Sequence, residues 1–223
     1  MKLKNLLLIA TTLTLTACST QKAQETTFFQ WTEQNAHNGA TIQDPSGMGI
    51  LNLGSNDGYY DLEAGQTIKD LQDYSISIRY YVDSINTLDG YGHFLFAFSK
   101  LAENKADEGP YMAMRLNEQR FEVSTGGWNH EEFIMQGGQP ERNVWHHALY
   151  RQKGKSGELY LDGSLIGRND NMPILSDIFA EAPACCWIGR APFNGDKYLT
   201  DTQVADFRIF HYALSDEEMA ELK

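Results

Sequence analysis

The sequence predicts an all-β chain: a two-sheet antiparallel β-sandwich, or jelly roll, with a short C-terminal helix. Three observations predict it. Through the middle of the chain, short runs alternate apolar and polar side chains with a period of two. Gly, Asp and Asn separate these runs at the spacing of hairpin turns. Helical periodicity is confined to two single turns and to the last stretch, "SDEEMAELK".

In chain order, "YSISIRYYV" (74–82) puts Ile76, Ile78, Tyr80 and Val82 on one face and Ser75, Ser77 and Arg79 on the other. "HFLFAFS" (93–99) alternates Phe94, Phe96 and Phe98 with Leu95 and Ala97, so both faces are expected to be buried. "YMAMRL" (111–116) and "RFEVS" (120–124) flank "NEQ" and read as a hairpin. "VWHHALYRQ" (144–152) and "GELYLDG" (157–163) flank a turn rich in Gly and Lys. "SLIGR" (164–168) then turns back at Asp162-Gly163, a dipeptide that tolerates positive φ. "CCWIGR" (185–190) and "VADFRIFHY" (204–212) are the last strand candidates. Strict alternation in the latter places Ala205, Phe207 and Ile209 on one face, and Asp206, Arg208 and Phe210 on the other. Asp206 and Arg208 are then expected to form structural ion pairs with neighbouring strands.

"QTIKDL" (66–71) and "PILSDI" (173–178) read as single helical turns. In the C-terminal stretch, Ser215 as N-cap and Glu218 three residues on form a capping box. Acidic residues fill its first turn, and Met219 and Leu222 are expected to pack inward. This helix is expected to cover a sheet end and to do no chemistry.

The chain opens with "MKLKNLLLIATTLTLTAC". Lys2 and Lys4 form a positive start, and residues 6–15 an apolar run too short to span a bilayer. The run ends in "LTAC", which resembles the bacterial lipobox, so Cys18 is the expected lipidation site and new N-terminus. Residues 1–17 are then a signal peptide, 18–27 a lipidated N-terminus with a flexible tether, and 28–223 the folded domain. The lipid is the expected membrane attachment, with no spanning segment. Ser19 follows the cysteine, so the outer membrane of a Gram-negative cell is the expected location, on its surface or its periplasmic face.

The chain has 223 residues, with 18 basic and 30 acidic side chains. Losing Lys2 and Lys4 with the signal lowers the net charge from −12 to −14. Such a surface argues against nucleic acid and anionic lipid as partners. It permits neutral ligands such as sugars, and cations.

Three segments in order resemble the concanavalin-A-like, laminin-G-like jelly-roll domain of bacterial exported proteins. They are "LGSNDGYYDLEAGQTIKDLQDYSISIRYYV", "WHHALYRQKGKSGELYLDGSLIG" and "WIGRAPFNGDKYLTDTQVADFRIFHYALSDEE". Arg79-Tyr80 stands where that family usually has an aromatic, often tryptophan. Ala205 replaces the first acidic residue of its "D-D-F-R-I-Y" segment, leaving Asp206. The resemblance implies a fold that hosts lectins, glycanases, lyases and accessory modules.

The carboxylate signature of the family's retaining glucanases, a strand reading "E-x-D-x-E", is absent. Glu158 and Asp162 share a face, but Asp162 is taken by the turn. Glu131 and Glu132 point to opposite faces. No catalytic residue is therefore expected. A serine nucleophile elbow is also missing. His146 and His147 are adjacent on a strand, so no zinc site is expected from them. Ca²⁺ is the cation that the loops could hold, through Asn194, Asp196 and Asp201 or through Asn56, Asp57 and Asp61.

Sugar binding calls for an exposed aromatic face with polar groups beside it. "STGGWNHEEF" supplies Trp128, Asn129 and His130 just after Gly126-Gly127, and these three are the expected ligand-binding residues. "DGYGHF" (89–94) is a second candidate. The expected function is a membrane-anchored, non-catalytic carbohydrate- or matrix-binding module. A glycan-cleaving hydrolase or lyase of the same fold, and a protein-binding assembly subunit, are the alternatives.

Cys185 and Cys186 would have Cα atoms about 3.8 Å apart, closer than the roughly 4.4–6.8 Å of most disulfides. They are expected to be two thiols, at least one of them buried.

Overall fold

A computed structural model describes residues 25–44, 49–100 and 109–222. The signal, Cys18 and most of the tether lie outside the described residues. The strands in chain order are β1 (Thr26–Phe28), β2 (Ala36–His37), β3 (Thr41–Gln43), β4 (Ile50–Asn52), β5 (Tyr59–Asp61), β6 (Tyr74–Val82), β7 (Phe94–Ser99), β8 (Tyr111–Arg115), β9 (Arg120–Ser124), β10 (Glu131–Met135), β11 (Trp145–Lys153), β12 (Ser156–Leu161), β13 (Ser164–Asn169), β14 (Cys185–Ile188) and β15 (Thr202–Phe210). Three short helices, α1 (Gly65–Ile68), α2 (Leu175–Ile178) and α3 (Asp216–Glu221), complete the list of labelled elements. The first two fall on the expected single turns.

Two antiparallel sheets stack into a sandwich. The first runs β13-β12-β11-β6-β15-β4-β3, with β1 also paired to β15. The second runs β10-β9-β8-β7-β14-β5-β2. Because β1 starts at Thr26, the folded part begins two residues inside the segment read as tether.

Between the sheets lies an aromatic core that includes Tyr74, Phe96, Phe98, Phe121, Tyr150 and Phe207. Phe121 from the second sheet stacks on Tyr150 from the first, with ring centroids 3.6 Å apart. The buried Tyr74 and Tyr150 hydroxyls both donate to Gln152 Oε1, at 3.0 and 2.7 Å. Gln152 Nε2 donates to the Gly154 and Pro173 carbonyls, so this polar island is satisfied. Gly157 is required beside it: a Cβ there would lie 2.3 Å from the Tyr150 hydroxyl.

Two bulges correct the alternation read from the sequence. In β15, Asp206 has φ of 52°, and Asp206 and Phe207 together stand opposite Ile78 alone. The extra residue shifts the phase, so Val204, not Ala205, shares the core with Phe207 and Ile209. The Arg208 guanidinium pairs with Asp206 itself, with Nη2 to Oδ2 at 2.7 Å, and lies 5.2 Å from the Phe28 ring of β1. In β7, Leu95 is the extra residue between the Phe94 and Phe96 pairings. Leu95, Phe96 and Phe98 enter the main core, while Phe94 joins Ala97 on the other side.

The capping box on α3 forms as read. Glu218 N donates to Ser215 Oγ at 3.2 Å, and Ser215 N donates to Glu218 Oε2 at 2.7 Å. The helix covers a sheet face instead of a sheet end: Met219 packs with Leu149, Phe210 and Leu214 on the outer side of the first sheet. Arg151 pins it there by donating to the Leu214 carbonyl at 2.9 Å and to Asp216 at 2.7 Å.

Cys185 and Cys186 are both thiols, not joined in a disulfide, and both are buried. Burial pushes the Cys185 thiol up to about 11 and that of Cys186 higher still, so both are inert at neutral pH. Among the described residues, no helix is long and apolar enough to cross a membrane.

Candidate functional site

The outer face of the second sheet carries unusual chemistry. Register places Trp187, Ala97, Ala113, Glu122 and Phe133 in one cross-strand row. Cys185, Ser99, Tyr111, Ser124 and Glu131 form the next row, and Phe94, Arg115, Arg120 and Met135 a third. Trp128 sits on the turn that joins β9 to β10. Ser124 builds this turn: its hydroxyl donates to the Gly127 carbonyl and accepts from Gly127 N at 3.0 Å. Gly127 has φ of 101° and Asn129 of 69°, so the chain reverses within a few residues.

Trp128 is 43% exposed, so the residue is within reach of a ligand. Its edge contact is Phe193, at 6.0 Å between centroids, and the Arg115 guanidinium lies 5.9 Å from the ring. Phe193 is wedged in turn against Tyr111 and Phe94. The indole is therefore held by Phe193 and Arg115 and stays partly exposed. Asn129 contributes its backbone N–H to Glu131 Oε1 at 3.1 Å, and Glu131 also accepts the Tyr111 hydroxyl at 2.6 Å. His130 is exposed, with its ring beside Gly126. Of the three expected residues, Trp128 faces the sheet's polar groups, and the other two shape the turn. Arg115 and Phe193 escaped sequence reading because only strand pairing and a distant loop bring them to Trp128.

Glu122 lies at the centre of this face with none of its surface exposed. Arg115 Nε approaches its Oε1 at 3.4 Å and Arg120 Nε its Oε2 at 2.5 Å. Neither contact has hydrogen-bond alignment, so both carboxylate oxygens keep unused acceptor capacity. Burial pushes the Glu122 carboxyl up to about 7, outweighing the two arginines that pull it down. Glu118 takes part by pairing with Arg115 Nη2 at 2.8 Å.

Glu131 and Glu132 do point apart, as their alternation requires: Glu132 accepts from Asn169 at 2.9 Å. Glu158 is held by Arg151 and accepts the Tyr160 hydroxyl at 3.0 Å. Asp162, with φ of 49°, accepts His147 N and a His146 ring nitrogen, both at 2.8 Å. The two histidines diverge, His147 bonding Ser77 and His146 packing on Tyr80.

The calcium candidates scatter. Asp57, Asp196 and Asp201 line one cleft at the loop end of the sandwich, while Asn56 and Asn194 are exposed and Asp61 sits in β5. Among the described residues, no three His, Cys, Asp or Glu side chains converge on a point where a metal ion could be held. The "DGYGHF" loop contributes Asp89 and His93 to the same cleft.

Residues 53–220 match the family described as the concanavalin A-like lectin/glucanases superfamily. The chain belongs to this family. No curated protein matches the sequence. The superfamily fold is shared with domain 4 of AbnA, a GH43 extracellular arabinanase from Geobacillus stearothermophilus, solved in complex with arabinotriose. That match has 15% identity and a TM-score of 0.56, covering 88% of this chain and 87% of that one. A Ruminococcus gnavus IT-sialidase CBM40 bound to alpha2,3 sialyllactose matches with 16% identity and a TM-score of 0.56, over 74% and 92%. The binding domain of botulinum neurotoxin serotype D matches with 12% identity and a TM-score of 0.57. That match covers 89% of this chain, which spans only 46% of the toxin domain. At these identities the likeness is one of fold.

Proposed function

We propose that this protein is a non-catalytic carbohydrate-binding module, held at the outer membrane by a lipid on Cys18. The observation that carries the binding reading is the Trp128 indole, partly exposed, braced by Phe193 and flanked by the Arg115 guanidinium. An aromatic face gives the C–H surface of a sugar its contact, while the buried Arg115 guanidinium holds the ring from the sheet side. The solved arabinanase and sialidase modules of this fold, with arabinotriose and sialyllactose in their structures, support the same reading. A glycan array probed with wild type and Trp128→Ala, with and without EDTA, tests it. Binding that Trp128→Ala leaves intact would sink the site.

The enzymatic alternative rests on Glu122, a carboxyl near neutrality with Glu131 on the same sheet face. Glu122 has no surface to offer a substrate, and Glu131 already accepts two hydrogen bonds, so the binding reading is preferred. Reducing sugar released by wild type and not by Glu122→Gln would reverse that preference. The anchor has its own test. Labelled palmitate should enter the wild-type chain in a Gram-negative host and not Cys18→Ser, which should leave the membrane fraction.

A further inference from the structure

We propose that the cleft at the loop end of the sandwich is a second binding site, built for a neutral polyhydroxylated ligand such as the terminal unit of a glycan, and independent of Trp128. The cleft holds about 500 Å³, within the roughly 300–1,000 Å³ of small-molecule sites. Residues 85–87, Asp89, His93, residues 195–198, Thr200 and Asp201 line it, with Asp57 at one side.

Its walls are stitched together. His93 N donates to the Lys197 carbonyl at 3.0 Å, and Lys197 N donates to the Tyr91 carbonyl at 3.1 Å. Gly92 permits this approach, since a Cβ there would lie 2.3 Å from the Lys197 carbonyl oxygen. Asn86 Nδ2 donates across to the Thr200 carbonyl at 2.7 Å. The cleft is thus formed before any ligand arrives.

His93 is the group that points to a ligand. It lines the cleft and is 4% exposed. Its Nε2 faces the Asp89 carbonyl at 3.0 Å. A carbonyl can only accept, so Nε2 carries the proton and the neutral ring leaves Nδ1 with a bare lone pair. Burial lowers the His93 pKa, which keeps the ring neutral. Nδ1 is buried and has no hydrogen-bond partner among the described residues, an omission that costs stability unless a donor fills it.

The surrounding groups select the donor. Lys197 Nζ is engaged by Asp89 at 2.7 Å, and Asn86 Oδ1 by Leu88 N at 2.8 Å. Asp196 adds a half-buried carboxyl, which burial pushes above its ordinary range. The lining is rich in acceptors, so the ligand must bring O–H donors. Four aspartates against one lysine disfavour anionic sugars. Tyr198 and Ile85 supply apolar surface for the C–H groups. The Tyr198 ring is steadied by Arg190, whose guanidinium lies 5.5 Å from it and 4.0 Å from the Trp187 ring.

The test is long-range ¹H–¹⁵N spectroscopy of the imidazoles in the full chain. It is titrated with neutral methyl glycosides of glucose, galactose, mannose and arabinose at millimolar concentration, with sialyllactose and putrescine as contrasts. The free protein should show His93 Nδ1 unprotonated, and at least one neutral glycoside should shift that resonance. Asp196→Asn, close to isosteric, should weaken this response about tenfold, whereas Trp128→Ala should leave it within about twofold. The two variants separate failure of this site from failure of the Trp128 site. A Nδ1 resonance unmoved by every neutral glycoside overturns the proposal. So does a response to putrescine or sialyllactose alone, or a response that Trp128→Ala abolishes.

Discussion

The outer faces of the two sheets are finished in opposite ways. On the first sheet, α3 lies across Leu149, Phe210 and Leu214, and Arg151 pins it by its N-terminal turn. The patch under α3 is an apolar seal, stabilised by burial and edged by the Arg151–Glu158 pair. On the second sheet, the middle of β9 carries a fully buried carboxyl between two arginines, and above the same face stands an exposed tryptophan. An apolar row of similar volume would stabilise that face as well or better, because desolvating charges costs more than their pairing returns in many cases. The sealed face needs only to exclude water. The charged face keeps donors, acceptors and an aromatic ring together, as recognition requires.

The comparison breaks most sharply at Glu122. Glu122→Ala leaves a buried gap beside Arg120 and leaves Arg115 with Glu118 alone, and should cost about 3 kcal/mol in urea unfolding. Its titration gives a second handle. The folded carboxyl sits near 7 against an ordinary 4.5, so the folded state holds the proton more tightly. Stability from this group is complete below about 4.5 and is lost as pH rises through about 7. Glu122→Gln should flatten that slope; an unchanged slope would mean Glu122 does not titrate in this range.

Met219→Ala, on the sealed face, should cost about 2 kcal/mol through lost packing and leave glycan binding unchanged. Trp128→Ala should do the reverse. It should weaken binding about tenfold, or ~1.4 kcal/mol, while shifting the melting temperature less than Met219→Ala does. If Trp128→Ala proves the more destabilising of the two, Trp128 is a lid over the sheet and not a binding face. The smallest effect is expected at the cap: Ser215→Ala should cost about 1 kcal/mol with no change in binding.

Most strands were legible because side-chain alternation and turn residues are local signals. "NEQ" and Asp162-Gly163 mark reversals that form as read. Two strands were read out of phase, because a bulge is one extra residue with no composition of its own. Leu95 is an ordinary strand residue, and Asp206 sits in an otherwise alternating run, until their partners skip a position. Of the candidate site, Trp128 was visible as an aromatic in a polar, glycine-flanked loop. The loop cleft was visible only in fragments, "DGYGHF" and "NGDKYLTD", with nothing to say that they face each other.

By itself, the sequence determined the alternation that makes two sheets, the turns between strands and the capped C-terminal helix. Each depends on residues within a few positions of one another. Only the tertiary structure decided that Glu122 is buried while Trp128 is not, that Phe193 braces Trp128, and that His93, beside a cleft, has a buried nitrogen with no partner among the described residues. Those facts arise from contacts between segments far apart in the chain. Burial and pairing there are set by which surfaces meet.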